Sequence, residues 1–270
     1  MKRTLKRLQQ PRKGIQYIIH PETRAELSPF AFFDAGSMSR QDDGLFIGMH
    51  PHSGIGIITY FEGGNLVHDD SGKNDNVILD GGVQWIRAGG GVWHQEHYVK
   101  KAETHSSSWN LTLHQLWMQL PPEWEESEVA YQNIQPEQLP IVDNVKVVVG
   151  SYLGQDSPLQ VPYNMTYLDI RLKASEHIYL ETPKGQTTGF VFPRSGDLSL
   201  HGNRLPLNHL SILESNEGGM EFSAQTDTQF VLIMAEPQSY PILTQGGSIH
   251  TNQAALERSF ERIQQIRMKS

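Results

Sequence analysis

The sequence predicts an all-β chain of two similar-sized, strand-rich domains closed by a C-terminal α-helix, and three observations predict it. From Phe30 onward, short apolar segments alternate with clusters of Gly, Asp, Asn and Ser, the cadence of a barrel or sandwich. A stretch rich in Pro and Glu, Pro121 to Val142, interrupts that rhythm near the middle of the 270 residues and reads as a linker between the two β-domains. The last stretch, Asn252 to Met268, contains no Gly or Pro, and Leu256, Phe260 and Ile263 recur at helical spacing.

The elements follow in chain order. GIGIITYF (54–61), NLVHDD, NVILDG, VQWIRAGG and LTLHQLWMQL are the strand candidates of the first half. In the last of these, Leu111, Leu113, Gln115, Trp117 and Gln119 share one face and His114 lies on the other, as a packed or hydrogen-bonded histidine. Strands resume in VKVVVGSYLG, LDIRL, GFVFPRSGDLSL, HLSILES and QFVLIMAEP, and Thr251 or Asn252 can cap the final helix. At roughly 150 residues per domain, the division falls between residues 1–135 and 136–270.

Composition narrows the class. Without cysteine the chain has neither a disulfide framework nor a redox thiol. No apolar run approaches the roughly eighteen residues of a membrane helix, and MKRTLKRLQQPRKG lacks an apolar export segment, so cytoplasmic residence is the default expectation. A formal net charge of −8 argues against a phosphate-binding surface and hence against nucleic acid as a direct partner. The exception is the basic start, Lys2, Arg3, Lys6, Arg7, Arg12 and Lys13, read here as a solvated, partly ordered terminus rather than an anion-binding tail.

Chemistry concentrates in two clusters, His50 with His52 and His94 with Glu96. Both have the spacing i, i+2, which on a strand sends the two side chains to one face while Pro51 and Gln95 point away. A lone HxH is common by chance. Here a second pair follows about forty residues on, and the AGGG run, Ala88 to Gly91, supplies a turn that leads into it. Three imidazoles and a carboxylate form a borderline-hard set that suits one Fe, Ni, Mn, Co or Cu ion. By strand parity Phe46 shares the ligand face of His50, and Tyr98 that of His94, so both are expected as pocket wall, whereas Trp93 points away. His97, of the wrong parity, and His68, beside Asp69 and Asp70 in an acidic turn, are expected at the surface or behind the ligands.

Gly44-x5-His50-x-His52 opens the first cupin motif, and the resemblance then narrows. HPHSGIGIITYFEGGNLVHDDSG, VQWIRAGGGVWHQE, LHQLWMQLPP with AYQNI, and LIMAEPQSYPILTQGGSIHTN together resemble the pirin family, across nearly the whole chain and in the same order. That resemblance implies two cupin barrels, each a jelly-roll-like double-stranded β-helix. It places the metal in the N-terminal barrel on His50, His52, His94 and Glu96, with Fe(II) as the first choice. The usual cupin glutamate is absent, since Gly56 stands at its position, and SGIGI replaces the RGFET common in pirins. His177, His201, His209 and His250 form no HxH or HxE pair, so the C-terminal barrel is expected to carry no metal.

Four side chains on a six-coordinate ion leave two positions for a substrate and dioxygen, an arrangement suited to an oxygenase. Pirin relatives include proteins similar to quercetin 2,3-dioxygenases, which implies a flavonol or related polyphenol as substrate. Glu96 is then the candidate catalytic group, able to accept a substrate proton as well as to bind the ion. Other pirins resemble metal-dependent transcription cofactors that bind a protein partner, and the same four ligands would serve that alternative.

Overall fold

In a computed structural model, residues 1–11, 19–71 and 76–268 are described, and they divide into two compact units. One comprises Phe30–Phe33, Ser37–Glu137 and Ser239–Ser270; the other comprises Met1–Pro29, Asp34–Gly36 and Gln138–Gln238. The main crossing therefore lies at Glu137/Gln138, close to the 135/136 division, but the two terminal segments are exchanged relative to a single cut. The first strand, β1 (Leu5–Gln9), adds to the sheet edge at Leu210–Leu213, and the helix Gln253–Arg267 belongs with the N-terminal barrel.

The N-terminal barrel is built from β2 (Phe30–Arg40), β3 (Gly44–His52), β4 (Ile55–Glu62), β5 (Gly64–Asp70), β6 (Asn76–Ile78), β7 (Val83–Arg87), β8 (Val92–Lys100), β9 (Trp109–Gln119) and β10 (Ala130–Ile134). They form a five-stranded sheet in the order β10-β7-β4-β9-β2 and a four-stranded sheet in the order β3-β8-β5-β6. β4 sits between two neighbours, and its unbroken apolar run Ile55–Ile58 is accordingly buried on both faces. Both sheets contribute to one apolar cluster, Phe61, Leu66, Ile78, Tyr98, Trp109, Leu111 and Leu113. In the AGGG turn, Gly89 has φ +51 and a Cβ there would sit 2.0 Å from the Ser127 carbonyl oxygen, so only glycine fits.

β10 corrects the linker reading: within 121–142, Ala130–Ile134 pairs residue by residue with Arg87–Val83 and completes the five-stranded sheet. The segment has no alternating apolar face to announce it, because its pairing partner rather than its own pattern makes it a strand. The basic terminus is corrected as well. Arg3 is fully buried, its guanidinium donating to the carbonyls of Glu214, Gln186 and Thr187, while Lys6 and Arg7 pair with Glu26. Arg12 and Lys13 lie outside the described residues.

The C-terminal unit has the same two-sheet plan, with strands Val145–Val149, Met165–Leu172, Thr188–Ser195, Leu210–Leu213 and Thr228–Ala235 in one sheet and His177–Glu181, Leu198–Leu200 and Gly219–Ala224 in the other. Its interior is apolar, with Leu168, Ile170, Leu198, Phe222, Phe230 and Leu232 among the buried cluster. The final helix begins where expected: Asn252 accepts from the Ala255 N–H, and Leu256 and Ile263 are buried. No helix among the described residues is long and apolar enough to cross a membrane.

Candidate metal centre

The site occupies the inner face of the four-stranded sheet. β3 and β8 are antiparallel with His50 opposite His94, and β5 flanks β8 on its other side with Asp70 opposite His94 and His68 opposite Glu96. Since alternate residues share a face, β8 turns Val92, His94, Glu96 and Tyr98 inward, all buried, and turns Trp93, Gln95 and His97 outward. One ring nitrogen from each of His50, His52 and His94 lies within 4.8 Å of the others, and their ring centroids are 4.3 to 5.0 Å apart. This trio is a group that can hold a metal ion.

The imidazoles are also oriented for it. His50 Nδ1 lies 2.7 Å from the Gly48 carbonyl oxygen and His52 Nδ1 lies 2.8 Å from that of Gly247. Each therefore donates through Nδ1–H and keeps the Nε2 lone pair for a cation. His52 Nε2 and both nitrogens of His94 are buried without any hydrogen-bond partner. A buried polar atom left unpaired costs about 1–3 kcal/mol, and a cation bound between the rings would relieve His52 Nε2 and one nitrogen of His94. Burial, reinforced by the neighbouring His50, holds the His52 imidazole down to about 3, and His94 lies well below the ordinary value for the same reason. The His52 and His94 rings are thus neutral, the form in which imidazole ligates.

Glu96 is not among the 4.8 Å group, although it is fully buried on the same face of β8 as His94. Desolvation raises its carboxyl to about 7, opposed by the charge of His68 and by hydrogen bonds from Tyr98 and Gln115. Gln115 Nε2 lies 3.4 Å from both carboxylate oxygens, and Gln115 Oε1 in turn accepts from Trp117 Nε1–H at 3.0 Å. Trp117 packs edge-on to His52 at 4.8 Å. Gln115 and Trp117 were legible as one face of their strand but not as part of the site, since only the facing of the two sheets brings that surface over the histidines.

Two expectations change. Phe46 is 60% exposed and packs edge-on to His97 on the outer face, so it does not line the site. The cause is a β-bulge: Ile47 opposes Glu96 and His50 opposes His94, so Gly48 and Met49 together face Gln95 alone and the parity of β3 reverses. Gly48 inside the strand was the available signal. His68 is not in an acidic turn, because β5 runs on to Asp70; it is fully buried, hydrogen-bonded to Asp70 Oδ2 at 2.9 Å, with its ring 5.3 Å from that of His94. Tyr98 is buried on the expected face, and Trp93 points away, donating to the Ile263 carbonyl. Where other cupins carry a glutamate, a Cβ on Gly56 would sit 1.8 Å from the Trp85 ring, so the tryptophan fills the volume a longer side chain would need.

Comparison with known proteins agrees with this fold. The profile described as Pirin matches residues 9–118, and that described as Pirin C-terminal cupin domain matches residues 167–269. Human Pirin is 29% identical over 236 residues, covering 84% of this chain and 77% of its own. A Pseudomonas aeruginosa protein whose name assigns it provisionally to quercetin 2,3-dioxygenase is 27% identical over 221 residues, covering 80% of this chain and 76% of its own. Among solved structures, a quercetin 2,3-dioxygenase from Acinetobacter baumannii superimposes with a TM-score of 0.85 at 22% identity, covering 97% of this chain and 96% of that one. The bacterial pirin YhhW from Escherichia coli, in complex with nickel(II), superimposes with a TM-score of 0.65 at 19% identity, covering 86% and 99%. At those identities the two structures speak for the fold. With the two profiles matching residues 9–118 and 167–269 in chain order, the chain belongs to the pirin family.

Proposed function

We propose that this chain holds one divalent metal ion on His50, His52, His94 and Glu96 and acts as a dioxygenase on quercetin or a related flavonol. The observation that carries the reading is the convergence of three imidazoles, those of His52 and His94 buried with unpaired ring nitrogens, beside a buried carboxylate. Fe(II) is the first choice, with nickel, manganese, cobalt and copper compatible with the same donors; the E. coli relative, in complex with nickel(II), supports a divalent ion. The names of the relatives support the flavonol.

When bound, the ion supplies Lewis-acid stabilisation of the substrate oxyanion and a redox centre for dioxygen. The rest is the work of the chain. The Gly48 and Gly247 carbonyls fix the tautomers of His50 and His52. Glu96 would accept the flavonol hydroxyl proton on a carboxylate oxygen, and Tyr98 and Gln115 hold that carboxylate by hydrogen bonds. Trp117 offers a flat, partly exposed ring beside His52 for an aromatic substrate. Opening the flavonol heterocycle with one dioxygen and release of one carbon monoxide balances the reaction.

Incubating iron-loaded protein with quercetin under oxygen tests this: the near-visible absorption of quercetin disappears in step with oxygen uptake, and Glu96→Gln slows turnover by the 10²–10⁴-fold of a lost general base. No turnover with any polyphenol would overturn the enzymatic reading.

A further inference from the structure

Behind His52 lies a buried polar cluster that the proposed reaction does not use. Ser53, the residue after the ligand, places its Oγ 2.9 Å from both Ser248 Oγ and His250 Nε2. His250 Nδ1 faces Glu125 Oε2 at 3.7 Å, and the Glu125 carboxylate accepts from the Thr251 N–H at 2.7 Å and the Thr251 hydroxyl at 2.9 Å. Ser53 and His250 are fully buried and Glu125 is 2% exposed. The order serine, histidine, carboxylate is that of a hydrolytic triad, but an Oγ that is enclosed and shared between two partners leaves no approach for a substrate carbonyl. The cluster is better matched to holding something still.

What it holds is the acceptor of His52. Residues 247–251 lie against the end of β3: Ser53 and Ser248 form a parallel bridge, Ile249 N–H donates to the Ser53 carbonyl at 3.1 Å, and the Gly247 carbonyl takes the His52 Nδ1–H. The fit is tight, since a Cβ on Gly247 would sit 2.6 Å from His52 Nδ1. On its far side the segment runs into Asn252, the cap of the final helix.

We propose that Ser53, Ser248, His250 and Glu125 form a clamp that fixes the Gly247 carbonyl against His52, making the C-terminal segment a working part of the metal centre through the tautomer and orientation of one ligand. This rests on the reading of the imidazole cluster as a metal site. The four are positioning residues, acting on the ion only through His52. Partners behind a ligating histidine are worth 10–100-fold in metal affinity when removed.

The test titrates metal-free wild type, Ser53→Ala, Ser248→Ala, His250→Leu and His250→Gln with cobalt(II), and follows the His52 ring N–H by NMR before metal is added. The clamp predicts a slowly exchanging Nδ1–H signal in the wild type. It predicts loss of that signal and 10–100-fold weaker cobalt(II) binding in Ser53→Ala, Ser248→Ala and His250→Leu, with partial recovery in His250→Gln, whose amide reaches where Nε2 stands. Leu200→Ala, a buried truncation in the other unit, controls for stability: it lowers the melting temperature and leaves both readouts unchanged. Cobalt(II) affinity at the wild-type level in Ser53→Ala and His250→Leu overturns the clamp and leaves the metal site standing. Failure of the wild type to bind cobalt(II) overturns both. Should His250→Leu not fold, Ser53→Ala and Ser248→Ala decide alone.

Discussion

In the N-terminal barrel β8 turns His94, Glu96 and Tyr98 inward; in the C-terminal barrel the strand Thr228–Ala235 turns Phe230, Leu232 and Met234 inward at the same alternate spacing. The named side chains of both strands are buried. The second repays its own burial, since each Å² of apolar surface removed from water contributes roughly 25 cal/mol. The first places four imidazoles and two carboxylates, those of His50, His52, His68, His94, Asp70 and Glu96, around one inner face, and burial pushes His52 down and Glu96 up. Such a lining costs stability unless something binds it. One barrel plan thus accommodates an aliphatic core at its inner positions in one unit and, in the other, a group of imidazoles that can hold a metal ion.

The largest effect that would break this contrast is on metal content. His50→Ala and His94→Ala should each abolish binding, read by elemental analysis, while circular dichroism shows an intact fold; retention of the ion by both would end the metal reading. In the other barrel Phe222→Ala, which removes a ring packed 5.0 Å from Phe230, should cost about 3–5 kcal/mol in urea unfolding and leave metal content untouched.

A pH series sharpens the same contrast. With His52 held at about 3 in the folded state, the unfolded chain takes up a proton between pH 6.5 and 3 that the native chain does not. The contribution to stability is full above pH 6.5 and is lost as the pH falls, on the order of 3 kcal/mol by pH 4. Denaturation of metal-free protein should show this loss as the difference between wild type and His52→Gln across that range, since His94 adds to the wild-type slope and the raised carboxyl of Glu96 opposes it. Smaller still, Gly56→Ala drives a methyl group into Trp85 and should cost about 1–3 kcal/mol, measured as a lowered melting temperature. Smallest is Asn252→Ala, which removes the helix cap for about 1 kcal/mol; a larger loss, together with weakened metal binding, would tie the helix start to the centre more closely than the cap alone requires.

How much of this was legible differs residue by residue. His50, His52 and His94 announced themselves because two-residue spacing on a strand is a purely local property. Phe46 went to the wrong face because parity carries only as far as the ladder is regular, and the bulge at Gly48–Met49 resets it. His68 and Asp70 were misread as a turn because two adjacent acids look like one until β8 pairs with them. Ser53, His250 and Glu125 gave no signal at all, being separated by up to 197 positions between hydrogen-bonded partners.

The sequence by itself determined the strand rhythm, the closing helix with its Asn252 cap, the two ligand pairs and the absence of thiol chemistry, since each depends on neighbours within a few residues. Only the tertiary structure decided that Ala130–Ile134 is a strand, that Arg3 is buried, that Gln115 and Trp117 overlie the histidines and that Gly247 holds His52. Those facts depend on which surface each segment meets, and long-range pairing is set by the sum of burial and hydrogen bonding over the whole barrel rather than by any local pattern.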